Sequence, residues 1–272
     1  MLDRAEFKLP TLPNVATMTV AVLSALQTEI DLLVQSLDRP QASRIVDFPV
    51  WAGRIGGNRV ILARAGLGKV NTAALSAIVF ERYRPSLIVL TGVAGGLDPG
   101  LCVGDLVIAE RTIQHDAGVV TADGLQRYQP GHIPFYNPTD RFGFAPSDRL
   151  LTVMREIVAD VELAPVLGRD PAVVFGTILT GDVFLQDGST RKQLFDQLTA
   201  QAIEMEGGAL GQTATRFGFD HMVIRSLSDL AGAEAVEHFD RFVAEVSANA
   251  ARLVLGLLER LEEDDRYLPV GS

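Results

Sequence analysis

The feature that most limits what this chain can fold into is a repeated alternation. Short runs rich in Val, Ile and Leu keep giving way to stretches with helical spacing. The runs lie at 18–23 (MTVAVL), 58–65 (NRVILARA), 86–91, 104–112, 172–180 and 221–227. Each is apolar on successive residues rather than on every second one, which predicts strands buried on both faces. Helical patterns fall at 26–37, 69–83, 147–160, 189–198, 206–217 and 236–263. The last carries Phe242, Val246, Ala250, Leu253 and Leu257 near helical spacing and closes on the charged run ERLEEDDR. Alternating strands and helices specify an α/β fold with a sheet covered by helices. Residues 18–263 are expected to form one domain, with 1–17 and 264–272 as tails. The stretch 114–146, rich in Pro, Gly, Tyr and His, reads as a long loop of the kind that often serves function or a partner.

Composition narrows the function. A net charge of -10 argues against a duplex nucleic-acid binder, which needs clustered Lys and Arg. No apolar run reaches membrane-spanning length, and the N-terminal stretch has acids and prolines where a signal peptide needs an apolar segment. The single cysteine, Cys102, rules out an internal disulfide and suits a reducing cytoplasm. His115, His132, His221 and His238 lack metal-ligand spacing, so no metal site is expected.

Two glycine-rich turns follow predicted strands. A-G-L-G-K-V-N (65–71) is half a dinucleotide fingerprint without its third glycine, and equally a tight strand-to-helix turn. T-G-V-A-G-G-L-D-P-G (91–100) leaves exposed backbone at a strand end, where ligands of open α/β sheets bind. Acids sit at three strand ends. Glu29 stands near a helix start and can be a simple dipole partner. Asp229 follows a buried strand and can be a helix cap. Glu204 and Glu206 flank Met205 in A-I-E-M-E-G-G-A; if that stretch is extended, both point to one face. Arg225 is a cation inside an apolar strand and needs a partner. Carboxylates can grip a vicinal diol, protonate a leaving group or activate water, the general plan of glycoside cleavage. The pattern alone does not say that these acids converge.

The ordered blocks T-G-V-A-G-G-L-D-P-G-L-C-V-G-D (91–105), H-D-A (115–117), T-G-D-V-F-L (180–185), I-E-M-E-G-G-A (203–209) and R-S-L-S-D-L-A (225–231) resemble those of the 5'-methylthioadenosine/S-adenosylhomocysteine nucleosidases, within the purine nucleoside phosphorylase superfamily. The likeness covers roughly residues 18–262. It implies a three-layer α/β/α sandwich around a mixed, partly barrel-like sheet, assembled as a homodimer in which the neighbour's 114–146 loop approaches the pocket. It implies hydrolysis of an adenine–ribose N-glycosidic bond with no cofactor. On the matching positions, Glu29 is the base that activates water and Asp229 the acid that protonates adenine, with Ser228 beside it. Glu206 and Met205 meet the ribose, Phe184 and Leu185 the base, and Gly95 the ligand through its backbone. Leu26, Leu67 and Phe239 line the 5'-alkylthio pocket. Arg225 would favour an ionised Glu29, and Glu204 would orient the site from behind or pair with Arg225.

Two residues depart from the family's pattern. Val93 stands where many nucleosidases have a serine that helps hold water or ribose, and Leu26 replaces the commoner methionine. Three other readings use the same scaffold: a phosphorylase, a nucleosidase for another purine nucleoside, and a non-catalytic binding protein. A phosphorylase needs cationic partners for phosphate, where this chain has Leu90 and Glu29.

Overall fold

The computed structural model describes residues 18–263; the two expected tails lie outside the described residues. The elements run β1 (Thr19–Ser24), α1 (Gln27–Gln35), β2 (Asp38–Ile45), β3 (Phe48–Ile55), β4 (Asn58–Arg64), α2 (Lys69–Tyr83), β5 (Leu87–Gly96) and β6 (Leu106–Gln114). After a small hairpin, β7 (Gly118–Thr121) and β8 (Gly124–Arg127), come α3 (Asp148–Asp160), β9 (Val173–Thr180), α4 (Gly188–Leu198), β10 (Ala202–Glu204), α5 (Gly207–Phe217), β11 (His221–Asp229) and α6 (Ala235–Glu263).

Among the described residues the main sheet has nine strands in the order β10-β9-β6-β11-β5-β1-β4-β3-β2. The apolar runs behave as their composition requires. In β1, Val20 and Val22 pack on one face while Ala21 and Leu23 pack on the other, and β4 and β5 alternate likewise. One face is covered by α1, α3 and α6 through Ile30, Leu33, Met154 and Leu253. The other is covered by α2 and α5 through Leu75, Val79, Phe80 and Leu210. Each fully buried Leu or Val removes enough apolar surface from water to contribute roughly 1.5–3 kcal/mol.

The sheet also curls. β10 pairs with β9 and, antiparallel, with the glycine-rich end of β5, where Ala202 faces Gly96 and Ile203 faces Gly95. That closes β5, β11, β6, β9 and β10 into a small mixed barrel, with β1, β4, β3 and β2 as an open wing. The expected partly barrel-like sandwich is what forms. The wing hairpin β2–β3 has no counterpart among the predicted strands. Within 114–146 the expected loop contains the β7–β8 hairpin at 118–127. β11 runs two residues further than predicted, so Asp229 is its last residue. Among the described residues no helix is long and apolar enough to cross a membrane.

Candidate active site

Strand ends β1, β5, β10 and β11 meet around a cavity of about 350 Å³. Of the expected site residues, Leu26, Glu29, Leu67, Val93, Gly95, Phe184, Leu185, Met205, Glu206, Ser228, Asp229 and Phe239 all line it. Arg225 does not; it lies behind the wall, fully buried. Glu204 joins the lining, as do Val183, Ile203 and Ala231, which lie inside the quoted blocks but were given no role there.

One end of the cavity is built around Arg225. Strand register sets Arg225 beside Gly92 of β5. Gly92 has no Cβ, and one placed there would stand 2.3 Å from Glu29 Oε1 and 2.4 Å from Arg225 Nη1. This glycine therefore lets the guanidinium cross β5 toward α1. Arg225 Nη2 donates to Glu204 Oε2 at 2.5 Å and to Glu206 Oε2 at 3.1 Å, while Nη1 stands 3.9 Å from Glu29 Oε1. Arg225 Nε and Nη1 make no hydrogen bond among the described residues. Three buried carboxylates thus face one guanidinium.

Each carboxylate is held differently. Glu29, in the first turn of α1, reaches back so that Oε2 accepts the N–H groups of Ala25 and Leu26, at 2.9 and 2.7 Å. This is the glutamate half of a capping box. Its Oε1 accepts the Val93 N–H at 3.0 Å, so the valine still serves Glu29 through its backbone. Burial pushes the Glu29 carboxyl above the usual carboxylate range, while Arg225 and the three N–H groups pull it back. Glu204 is saturated: it accepts from Thr180 Oγ1, Arg225 and the N–H groups of Glu206 and Gly207. Glu206 is the open one. The chain turns at Met205, so β10 ends at Glu204 and Glu206 is the N-cap of α5. The stretch is not extended throughout, yet both carboxylates converge on Arg225. Among the described residues, Glu206 accepts, beyond Arg225, only the Gly68 N–H, at 2.7 Å to Oε1. Burial, with Glu204 and Glu29 nearby, pushes its carboxyl up to about 7 against the pull of Arg225 and Gly68.

The other end is simpler. A register shift in β11 between Leu227 and Asp229 sets Asp229 opposite Gly95 and re-aims its side chain, as β-bulges do. Ser228 Oγ donates to Asp229 Oδ2 at 2.9 Å, and the Ala231 N–H donates to Oδ1 at 2.8 Å. Burial raises the Asp229 carboxyl above its ordinary range, with those two donors opposing. Between the ends run apolar walls. Phe184 and Phe239 meet edge to face at 6.2 Å between ring centroids, and Leu67 and Val183 form an exposed rim. Among the described residues no group of three His, Cys, Asp or Glu is placed to hold a metal ion.

The family model of the phosphorylase superfamily matches residues 19–259. A 5'-methylthioadenosine/S-adenosylhomocysteine nucleosidase of Mycobacterium bovis is 43% identical over 247 residues, 89% of this chain and 97% of that relative. The chain belongs to this nucleosidase family within the phosphorylase superfamily. The crystal structure of the Neisseria meningitidis family member in complex with methylthio-immucillin-A superposes with a TM-score of 0.78 at 32% identity. It covers 90% of this chain and 100% of the other. The Colwellia psychrerythraea nucleosidase in complex with adenine gives a TM-score of 0.78 at 30% identity, covering 90% and 96%. The fold, the closed barrel and the family are therefore those that the sequence blocks implied.

Proposed function

We infer that the protein hydrolyses the N-glycosidic bond of 5'-methylthioadenosine and S-adenosylhomocysteine, releasing adenine and a 5-thioribose. The observation that carries the reading is the convergence of Glu29, Glu206 and Asp229 on one largely apolar cavity, in a chain 43% identical to a nucleosidase of that name.

Adenine leaves poorly as an anion. Asp229, whose carboxyl burial raises above its ordinary range, serves as the acid that hands a proton to the imidazole ring of the base as the bond breaks, and Ser228 steadies the same edge. Phe184 stacks on the base, and the backbone at Phe184–Leu185 and Gly95 meets it. At the sugar end Glu206 accepts the diol hydroxyls beside Met205, and its charge stabilises the developing oxocarbenium ion. Glu29 takes a proton from water held against its carboxylate, and Arg225 Nη1, 3.9 Å behind in the wall, favours the charged form. A raised carboxyl suits Glu29, since a base works best with a pKa near the working pH. Leu26, Leu67 and Phe239 hold the 5'-alkylthio group.

Water, rather than phosphate, is the nucleophile on electrostatic grounds. The cavity lining carries four carboxylates and neither Lys nor Arg, so a phosphate dianion would meet repulsion. Assembly as a homodimer, with the neighbour's 114–146 segment near the pocket, fits the exposed Val120, Phe135 and Tyr136 of that segment. Cytoplasmic location suits the lone cysteine.

The deciding assay is adenine release from methylthioadenosine, S-adenosylhomocysteine and adenosine, each with and without phosphate. Release from the two thio-nucleosides without phosphate is expected. A strict phosphate requirement, or no release from any, would overturn the reading.

A further inference from the structure

The turn A-G-L-G-K (65–69) carries a device that the catalytic residues do not explain. Lys69 opens α2, and its Nζ donates to both oxygens of Asp116 at 2.7 Å. Its backbone N–H donates to Asp182 Oδ1 at 2.8 Å, and the Asp182 N–H donates to Asp116 Oδ2 at 3.2 Å. Three separate segments are thus tied at one lysine: the β4–α2 turn, the end of β6 and the loop after β9. Asp182 caps α2 from another segment, satisfying an N-terminal N–H that Gly68 has no side chain to satisfy. The knot is only partly exposed, 21% at Lys69 and 25% at Asp116, so its charges are incompletely screened.

Several of the knot's neighbours line the cavity or bond to a residue that does. Gly68, next to Lys69, has φ +94°, a conformation that side-chain-bearing residues rarely adopt. That geometry aims the Gly68 N–H at Glu206 Oε1. Leu67 lines the apolar wall, and Val183 and Phe184 follow Asp182 directly. Besides Arg225, the Gly68 N–H is the donor that holds the Glu206 carboxylate.

We propose that Lys69 is a positioning residue for Glu206: its bonds to Asp116 and Asp182 hold the 65–69 turn so that the Gly68 N–H fixes which carboxylate lone pairs face the sugar diol. This rests on the reading of Glu206 as the diol-binding group. Without the Lys69 ammonium the turn loses its tie to Asp116, the backbone bond to Asp182 alone does not hold it, Gly68 leaves Glu206, and the carboxylate loses both its orientation and a donor that favours its charged form.

The test is binding, independent of turnover, to two 7-deaza analogues of the nucleoside, one with both ribose hydroxyls and one 2',3'-dideoxy. The wild-type protein is expected to prefer the diol form by about tenfold or more, the worth of hydrogen bonds to a charged group. Lys69→Met is expected to lower that preference about fivefold by weakening diol binding alone, with dideoxy affinity unchanged. Lys69→Arg keeps the ion pair and restores most of the preference. In the enzyme assay the acid limb of kcat/KM moves to higher pH in Lys69→Met, because Glu206 ionises less readily. In a Glu206→Gln background the Lys69→Met change no longer alters the ratio. An unchanged diol preference in Lys69→Met, whatever its thermal stability, overturns the proposal. A wild-type protein that binds both analogues equally removes the diol reading, and with it the purpose of the knot.

Discussion

The two ends of the cavity hold acids for opposite ends of one reaction. At the Asp229 end a single carboxyl meets one hydroxyl and one backbone N–H, with no cation bonded to it. Burial raises that carboxyl above its ordinary range, with those two donors opposing. At the Arg225 end three carboxylates gather on one guanidinium backed by backbone donors. There burial also raises Glu29 and Glu206, but the Arg225 charge and backbone N–H groups pull both back. The lesson is that depth of burial does not assign the role, since all four carboxyls are nearly inaccessible to solvent. What differs between the two ends is the guanidinium: Arg225 faces Glu29, Glu204 and Glu206, and no cation is bonded to Asp229 among the described residues.

The comparison can be broken from either side. Asp229→Asn removes the proton donor while preserving shape, so kcat should fall by about a hundred- to ten-thousand-fold with nucleoside binding still measurable by calorimetry. A near-normal rate would show the acid to be misassigned. Glu206→Gln should cost about a hundredfold in kcat/KM, through loss of the anion under the diol. Its effect on stability should have the opposite sign. A carboxyl raised to about 7 in the folded state, from 4.5, loses stabilising free energy as pH rises between those values. Thermal unfolding of ligand-free Glu206→Gln above pH 7 should therefore begin no lower than that of the wild type. Glu204→Gln keeps the packing but loses the short bond to Arg225, and about a tenfold fall in kcat/KM is expected. An unaffected rate would mean that Arg225 is held well enough by Glu206 and strand register alone.

A buried group outside the cavity lining sharpens the point by having almost no partners. His221, at the start of β11, is pushed down from 6.5 to about 4 by burial, with Nε2 unbonded. The unfolded chain takes up a proton there before the folded one does. Stability should then drop by about 3 kcal/mol as pH falls from 7 to 4, read from denaturant midpoints of wild type against His221→Gln.

Much of this was legible in the residues. Strands buried on two faces announce themselves because every residue must be apolar, so β1, β4, β5, β6, β9 and β11 stood out. The β2–β3 hairpin did not, since Asp38, Arg39, Gln41 and Arg44 are exposed at an outer strand and carry no such signature. β10 is three residues long, too short for any period. Convergence of the acids is a property of register and closure: Arg225 meets Gly92, and Ala202 meets Gly96. No local pattern encodes that pairing; the family likeness supplied it. The pairing of Glu204 with Arg225 was one of two readings open in the sequence, and saturation of that carboxylate leaves Glu206 free for ligand. Lys69 stayed hidden because its partners, Asp116 and Asp182, are distant in sequence and each had only a motif's worth of context.

The most direct test of opposed roles is a leaving group that needs no proton. In 4-nitrophenyl 5-methylthioriboside the aglycone departs as a stable anion, while attack by water on the sugar is unchanged. Hydrolysis of this compound by Asp229→Asn should lie within about tenfold of wild type, whereas Glu29→Gln should remain down by a hundredfold or more. Equal losses in the two variants would contradict the division of labour between the two ends.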